Sequence, residues 1–374
     1  MSLSNLKILF VSTSYPKDDL DWKGRFIERM LCGLSGRDII IYVWAPPGKI
    51  PDNVIYSASG EEKIWLDKLS EEGGIAHKVR SGPFKAFVWG SGLLLRLRDV
   101  YKRFSDADIY HVNWLQNALS IPDNKKPVLV SVLGTDLSLL RIPGMKSALK
   151  RVFKKHPAIL APNNSWMIPV LEENFGNVAK VREIRFGIDD IFYNIERTVS
   201  TNPRIWIAVT RITRDKIGPL FDWGESCFRE EDELHVIGPV IEKISLPAWV
   251  KYHAPANLKE IRELWFKRAS GLITLSVHSE GLPQVVLEAM ASGLPVVASP
   301  HSSHKEVVTH KDNGWIAGNA DEFREGLKLL SDPEENLLMG LSARNSIRNI
   351  CGTWENAAER YHNAYIELMQ RSEK

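Results

Sequence analysis

The chain alternates between short unbroken apolar runs and longer segments in which apolar positions recur at helical spacing. Residues 6–12, LKILFVS, and 38–46, DIIIYVWAP, are of strand length, and RFIERMLCGLSG between them has helical spacing and ends on glycine. Further apolar runs at 108–112, 127–132 and 157–161 are separated by helical stretches. That order predicts a parallel sheet covered by helices. The polar segment NIERTVSTNPR, 194–204, interrupts it and reads as a linker. The pattern then restarts with IWIAVT (205–210), ELHVIG (233–238), GLITLS (271–276) and PVVAS (295–299). Two doubly wound α/β domains with a cleft between them are expected, with ligands beyond the carboxyl ends of the strands.

A length of 374 residues allows each domain its own core. Three cysteines, Cys32, Cys227 and Cys351, are odd in number and far apart. They argue against a disulfide framework or a zinc knuckle and fit a reducing cytoplasm. No apolar run approaches the roughly 18–20 residues that span a bilayer, and no signal peptide is evident. A cytoplasmic location follows as the expectation.

The net charge of +2 conceals an asymmetry: residues 1–196 hold 27 Lys and Arg against 22 Asp and Glu, the remainder 21 against 24. Within 76–155 the ratio is 15 to 5. Such a face suits nucleic acid, an anionic membrane or a phosphorylated ligand, or is simply solvated. Residues 84–104, FKAFVWGSGLLLRLRDVYKRF, add Lys85, Arg96, Arg98, Lys102 and Arg103 to a roughly helical apolar pattern. This is either a basic amphipathic helix on the cytoplasmic face of an anionic membrane or an ordinary helix covering the sheet. A nicotinamide dehydrogenase is disfavoured because no G-x-G-x-x-G follows the first strand. A nucleic-acid partner is disfavoured by the lack of a recognition motif.

The stretch SEGLPQVVLEAMASGLPVV, 279–297, holds Glu280 and Glu288 in an otherwise apolar segment. Buried carboxylates are costly unless paired. Pro283 suits a first helical turn and Gly293 a C-terminal cap, so PQVVLEAMAS reads as a helix. Gly281, Leu282, Pro283, Gln284 and Val285 then form a helix N-terminus, a natural seat for phosphate. Glu288 is about 7–8 Å further along the axis. A diphosphate at the helix start leaves one carboxylate level with whatever hangs from the distal phosphate, and the other where a ribose could sit. A carboxylate accepts two hydroxyl hydrogen bonds well. A nucleoside diphosphate sugar has these three parts in that order.

The same stretch, extended to SEGLPQVVLEAMASGLPVVAS, resembles the E-x7-E signature of the retaining glycosyltransferases of family 4, which have the GT-B fold. RITRDK resembles that family's Arg-x4-Lys element, with Arg211 and Lys216 as the two cations. KILFVSTSYPKDD and KGRF resemble its first strand and glycine loop, with Gly24 as the single glycine. DIYHVNW, VSVLGTDLS and APNNSWMIPVLEENFG match its N-terminal half in order. IRFGIDDIF, HKEVVTHKDNGWIAG and TWENAAERYHNAYIEL match the remainder. The resemblance covers nearly the whole chain.

It implies an N-terminal, acceptor-side Rossmann-like domain at 1–193, completed by a C-terminal helix at 356–374. A linker at 194–204 and a nucleotide-sugar-binding Rossmann-like domain at 205–355 complete the layout, the two domains facing each other across a cleft. Hinges are expected in 194–204 and near 351–355, with closure carrying Gly24 towards Arg211, Lys216 and Glu280. Arg211 and Lys216 neutralise the departing diphosphate and substitute for a metal ion, so no metal and no cofactor is expected. Glu288 holds the ribose, Glu280 contacts the transferred sugar, and the acceptor is a glycan or lipid-linked glycan of a bacterial surface polysaccharide.

One departure stands out. The family has a histidine before the glycine of its HG-x-D element, and here VLGTD puts Leu133 in that place while Asp136 matches. His111 or Asn113 could take over the lost contact to the donor sugar, though His111 also reads as a structural histidine. Trp22 and Trp114, near strand ends, suit stacking on a sugar or lipid, whereas Trp44, Trp206 and Trp265 read as core. The loss at Leu133 keeps a noncatalytic nucleotide-sugar-binding subunit open as an alternative. A nucleotide-sugar epimerase or a glycan phosphorylase on the same fold is less well supported.

Overall fold

A computed structural model describes residues 6–19, 21, 23–74, 82–278 and 281–372. The chain divides into two compact units, Met1–Phe186 with Trp354–Lys374, and Gly187–Thr353.

The first unit is built on seven strands: β1 (Leu6–Val11), β2 (Ile39–Trp44), β3 (Val54–Tyr56), β4 (Ile109–Asn113), β5 (Val128–Val132), β6 (Ala158–Pro162) and β7 (Lys180–Val181). They pair in the order β3-β2-β1-β4-β5-β6-β7, with every pair parallel. Every residue of β4, β5 and β6 is buried, as befits a parallel sheet covered on both faces. On one face lie α1 (Arg25–Ser35) and the C-terminal helix (Trp354–Ser372), which bury Ile27, Leu31, Leu34, Trp354, Tyr361, Tyr365 and Leu368 against β1 and β2. The opposite face is covered from α2 (Gly60–Glu71), α3 (Pro83–Arg103), α4 (Met145–Phe153) and α5 (Ile168–Phe175), whose contributions include Leu66, Leu97, Leu149 and Phe175.

The helix expected at 84–104 is α3. Leu93, Leu97, Val100 and Tyr101 are buried beneath it. Two of its cations are engaged within the unit: Arg96 lies over the Trp65 ring, and Arg103 pairs with the buried Glu62 at 2.8 Å. Val88, Leu95, Arg98 and Lys102 form its exposed stripe. Among the described residues no helix is long and apolar enough to cross a membrane.

The second unit holds β8 (Arg204–Val209), β9 (Asp232–Ile237), β10 (Val250–His253), β11 (Gly271–Thr274), β12 (Val296–Ala298) and β13 (Trp315–Ile316). They pair in the order β10-β9-β8-β11-β12-β13, again all parallel. The short turn α6 (Arg214–Ile217) is followed by α7 (Leu220–Cys227), α8 (Gln284–Ala291), α9 (Ala320–Leu330) and α10 (Pro333–Ile350). Residues of α8 and α10 pack in one core cluster, and residues of α7 and α9 in the other. Trp206 is fully buried, and Trp265 packs with the α8 cluster from a π-helical stretch, Ile261–Phe266.

The segment 194–204, read from its polarity as a linker, lies within the second unit. The Arg197 guanidinium donates to Gly293 O at 2.7 Å, Ala269 O at 2.8 Å and Asn336 Oδ1 at 2.9 Å. Thr198 and Ser200 donate their backbone N–H groups to Lys267 O and Arg268 O. The Arg197 side chain therefore satisfies buried carbonyls, while Asn194, Glu196, Thr198, Thr201 and Asn202 are exposed.

Candidate functional site

The second sheet grows outward from β8 to β9 and β10, then resumes on the other side of β8 with β11. At such a switch point the segments leaving the two strands diverge, which opens a crevice at their carboxyl ends. Arg211 leaves β8, and the loop leading to α8 leaves β11.

Beyond β8 the chain passes through Arg211 into α6, capped by Thr213, whose hydroxyl accepts from the Lys216 N–H at 3.3 Å. Arg211 and Lys216 are both half-buried. The Asp215 carbonyl accepts the Val277 N–H at 2.9 Å and the Ser276 hydroxyl at 3.4 Å. Gly218 follows at φ 55° and ψ −139°, and a Cβ there would be 2.1 Å from Leu275 O. Only glycine tolerates that approach. The cation-bearing turn is thus fastened by one main-chain and one side-chain bond to the segment that follows β11. The end of β11 and that segment are fastened in turn to the residue after β12: Ser299 donates its N–H to Thr274 O at 2.9 Å and its hydroxyl to Ser276 O at 2.6 Å. The buried His304 places Nδ1 3.1 Å from Ser299 Oγ and Nε2 3.5 Å from Thr274 Oγ1. Sequence reasoning singled out neither Ser299 nor His304, because their partners are three-dimensional neighbours.

Ser279 and Glu280 lie outside the described residues, as does Trp22. Gly281 and Leu282 are buried. Pro283 is the N-cap of α8, one position before the first turn expected for it, and no side chain caps the helix there. Gln284 and Val285 open the helix, and Gln284 Nε2 donates to Gly187 O at 3.0 Å. Val286, Leu287, Ala289, Met290 and Ala291 are buried, whereas Gln284, Val285 and Glu288 are half-exposed. Positions i, i+1 and i+4 share one side of a helix, so Glu288 stands on the side that opens at the N-terminus. The helix ends as the glycine predicts, with Gly293 N–H to Met290 O and Leu294 N–H to Ala289 O, both 2.9 Å. Among the described residues no group of three or more His, Cys, Asp or Glu side chains is arranged to hold a metal ion.

The first sheet has its own switch point between β1 and β4. Gly24, at φ 69°, caps α1 where a Cβ would meet Ser14 Oγ and Tyr15 N at 2.7 Å. The glycine is required by the close passage of the chain leaving β1. Asn113 ends β4; its Nδ2 donates to Val11 O at 3.1 Å, and its Oδ1 is buried with no partner among the described residues. Trp114, next along, has φ 68°, an unusual conformation for a side chain of this size, and its ring lies 6.2 Å from Phe26.

Asp136 is buried and accepts the N–H groups of Leu115 at 3.0 Å and Leu133 at 3.2 Å. Burial pushes its carboxyl up to about 6 against those bonds. Asp136 therefore ties the end of β4 to the end of β5. The Leu133 side chain joins the apolar cluster beside the C-terminal helix.

His111 has no accessible surface. Its Nδ1 is 2.6 Å from the Tyr365 hydroxyl and its Nε2 2.9 Å from Ser131 Oγ. The expectation that it could contact a donor sugar is corrected by this enclosure: both ring nitrogens are engaged inside the unit. Burial lowers the imidazole to about 3, so it is neutral and serves the junction of sheet and C-terminal helix.

Residues 233–346 match the sequence model of the family Glycosyl transferases group 1. An uncharacterized glycosyltransferase of Haemophilus influenzae is 42% identical over 84 residues, 21% of this chain and 24% of that protein. The amylovoran biosynthesis glycosyltransferase AmsK of Erwinia amylovora is 41% identical over 71 residues, 18% of this chain and 17% of that protein. The chain thus spans about a quarter or less of these relatives' length. Among solved structures, sucrose-phosphate synthase from Thermosynechococcus elongatus superimposes with a TM-score of 0.69 at 14% identity, covering 98% of this chain and 100% of that one. Anabaena Alr3699/HepE, solved in complex with UDP and glucose, gives 0.65 at 15% identity over 97% and 100% of the two chains. Both parallel-sheet units therefore have the Rossmann-like architecture of these GT-B structures, and the second carries the segment matched by the glycosyl transferases group 1 family.

Proposed function

We propose that the protein is a retaining glycosyltransferase that moves a sugar from a nucleoside diphosphate sugar to a glycan or lipid-linked glycan. The observation that carries this reading is the convergence at the second sheet's switch point. The turn bearing Arg211 and Lys216 is bonded to the segment that leads from β11 into the uncapped α8. Helix amides and two cations suit a diphosphate, and Glu288, one turn in, suits the ribose hydroxyls. Glu280 in this reading contacts the transferred sugar.

In the transfer step the bond between the anomeric carbon and the donor phosphate breaks, and its electron pair leaves with the diphosphate. Arg211 and Lys216 stabilise that developing charge, which removes the need for a divalent ion. The acceptor hydroxyl oxygen bonds to the anomeric carbon on the same face and gives its proton to the leaving phosphate. No protein base is required. The relative named for amylovoran biosynthesis supports polysaccharide assembly as the setting, and a place at the cytoplasmic face of a membrane is part of this reading. Contact of 84–104 with that membrane belongs to the same proposal.

Thermal shift against UDP, GDP, ADP and CMP, each with and without Mg²⁺, tests the donor site. A ligand at about 100 times its Kd adds about 2.7 kcal/mol. One nucleoside diphosphate should stabilise the wild type without metal and the Glu288→Ala variant far less. Equal shifts in both proteins would remove Glu288 from the site. Leu133 in place of the family's histidine favours a second reading, a noncatalytic nucleotide-sugar-binding subunit. Donor binding with neither transfer nor hydrolysis across an acceptor panel would select it.

A further inference from the structure

Between Arg141 and Lys155 the chain carries six cations and no acid. The run comprises an exposed turn, Arg141–Gly144, then α4, then Lys154 and Lys155. Leu149 and Phe153 are buried, and Met145 and Val152 pack partly against the same core. Arg141, Lys146, Arg151, Lys154 and Lys155 are exposed and Lys150 is half-buried. Among the described residues one ion pair reaches the run, Lys155 with Asp123 at 2.5 Å. Lys125 and Lys126 extend the charge, joined to it where His156 Nδ1 is 2.8 Å from Lys126 O.

The turn at the head of α4 also carries an apolar tip. Ile142 is 40% exposed, with the exposed Pro143 and Gly144 beside it and cations at 141 and 146 on either side. The tip follows a 3₁₀ segment, Thr135–Arg141, that starts three residues after the carboxyl end of β5. It therefore leaves the sheet edge at which Gly24, Asn113 and Asp136 lie. The 3₁₀ segment Leu115–Ser120, which packs against α4, also receives α3: Ser120 Oγ donates to Leu94 O at 2.8 Å. Leu95 and Val88 of α3 are also exposed.

Like charges carried by α4 and its flanking segments, with only Lys155 paired among the described residues, repel one another unless an extended anionic surface lies opposite. A single phosphate would need donors converging on one point, and these cations are spread along α4 and the segments at both of its ends. An isoleucine set among them gains nothing from a polyanionic glycan but gains burial between lipid headgroups. We infer that the face formed by Arg141–Lys155 docks the first unit on an anionic lipid surface, with Ile142 at the level of the headgroups. Each cation near such a surface adds attraction that falls off within a Debye length. The inference extends the membrane setting proposed above and rests on that reading only for the acceptor; docking itself is measured without sugar transfer.

The test is co-sedimentation of the full chain with vesicles of phosphatidylcholine alone and of phosphatidylcholine with phosphatidylglycerol. The wild type should pellet with the anionic vesicles at low salt and be released at about 0.5 M salt. Triple reversal, Lys146→Glu with Arg151→Glu and Lys154→Glu, should weaken partitioning tenfold or more. Ile142→Asp alone should weaken it severalfold at unchanged melting temperature. A matched reversal on the second unit, Lys243→Glu with Lys259→Glu and Lys328→Glu, should leave it within twofold of wild type. Equal loss in both triple variants would overturn the assigned face in favour of net charge alone. Undiminished pelleting of the Arg141–Lys155 variants would overturn it outright. An acidic polysaccharide captured through the same residues, with vesicles ignored, would overturn the lipid assignment. Nucleotide shifts measured on the same variants should match wild type, which keeps a failure of docking distinct from a failure of the donor site.

Discussion

His111 is held by groups far from it in the chain: Tyr365, 254 positions away, and Ser131, which also lies 3.2 Å from the Tyr361 hydroxyl. Such a residue looks like chemistry in a sequence, because its partners are not in the window being read. The proposed donor-site residues Glu288, Arg211 and Lys216 stand instead in local patterns, one helix and one turn, that a sequence window spans. His111 has a measurable pH signature. Its imidazole titrates near 6.5 when unfolded and is lowered to about 3 when folded. The folded state therefore refuses a proton that the unfolded chain accepts. Its contribution is whole above pH 6.5 and is lost as pH falls towards 3, at up to about 1.4 kcal/mol per pH unit. Urea unfolding at pH 7.5 and pH 5.5 should show a smaller acid loss, by about 1 kcal/mol, in His111→Gln than in wild type. Parallel pH profiles for the two proteins would sink this account.

Helices and strands with strong periodicity are where sequence and structure agree best. β1, β2 and α8 are such elements. β3, β7, β10 and β13 are the outermost strands of their sheets. They are only partly buried, unlike the short inner strands β11 and β12, so fewer of their positions are constrained to be apolar. In the segment 194–204 Asn194, Glu196, Thr198, Thr201 and Asn202 are exposed, as polarity suggests, but Arg197 bonds to three oxygen atoms of the second unit, which polarity alone does not signal. The turn α6 and the segment that follows β11 make a pairing that neither announces alone. Gly218→Ala tests it, because the added Cβ would lie 2.1 Å from Leu275 O at a backbone conformation only glycine adopts readily. A loss of about 2–4 kcal/mol is expected in urea unfolding of the second unit. The nucleotide-induced thermal shift should shrink with it, since Lys216 moves with the turn. Wild-type stability together with a wild-type shift would show that the turn is not held through this contact.

Over the whole molecule the two-domain reading of the alternating pattern corresponds to two separate parallel sheets, each with its own two-sided core. Their strand orders are not legible, because pairing depends on contacts between runs far apart. The C-terminal helix belongs to the first unit, where Trp354, Tyr361, Tyr365 and Leu368 complete a core begun by β1 and α1. A chain ending at Thr353 should lose that unit and keep the other. Limited proteolysis is expected to degrade residues 1–186 rapidly and leave a stable fragment near 187–353. Equal protection of both regions would show that the helix is dispensable.

The same arrangement sets an order of assembly during synthesis. The second unit is one uninterrupted stretch of chain, but the first is closed by Trp354–Ser372, which are made after it. A ribosome adding roughly 5–20 residues per second needs roughly 10–30 s to translate the intervening unit. Throughout that interval the sheet of the first unit has one apolar face without its final cover. The nascent chain then offers chaperones a defined target, and the part made second is the part able to finish first.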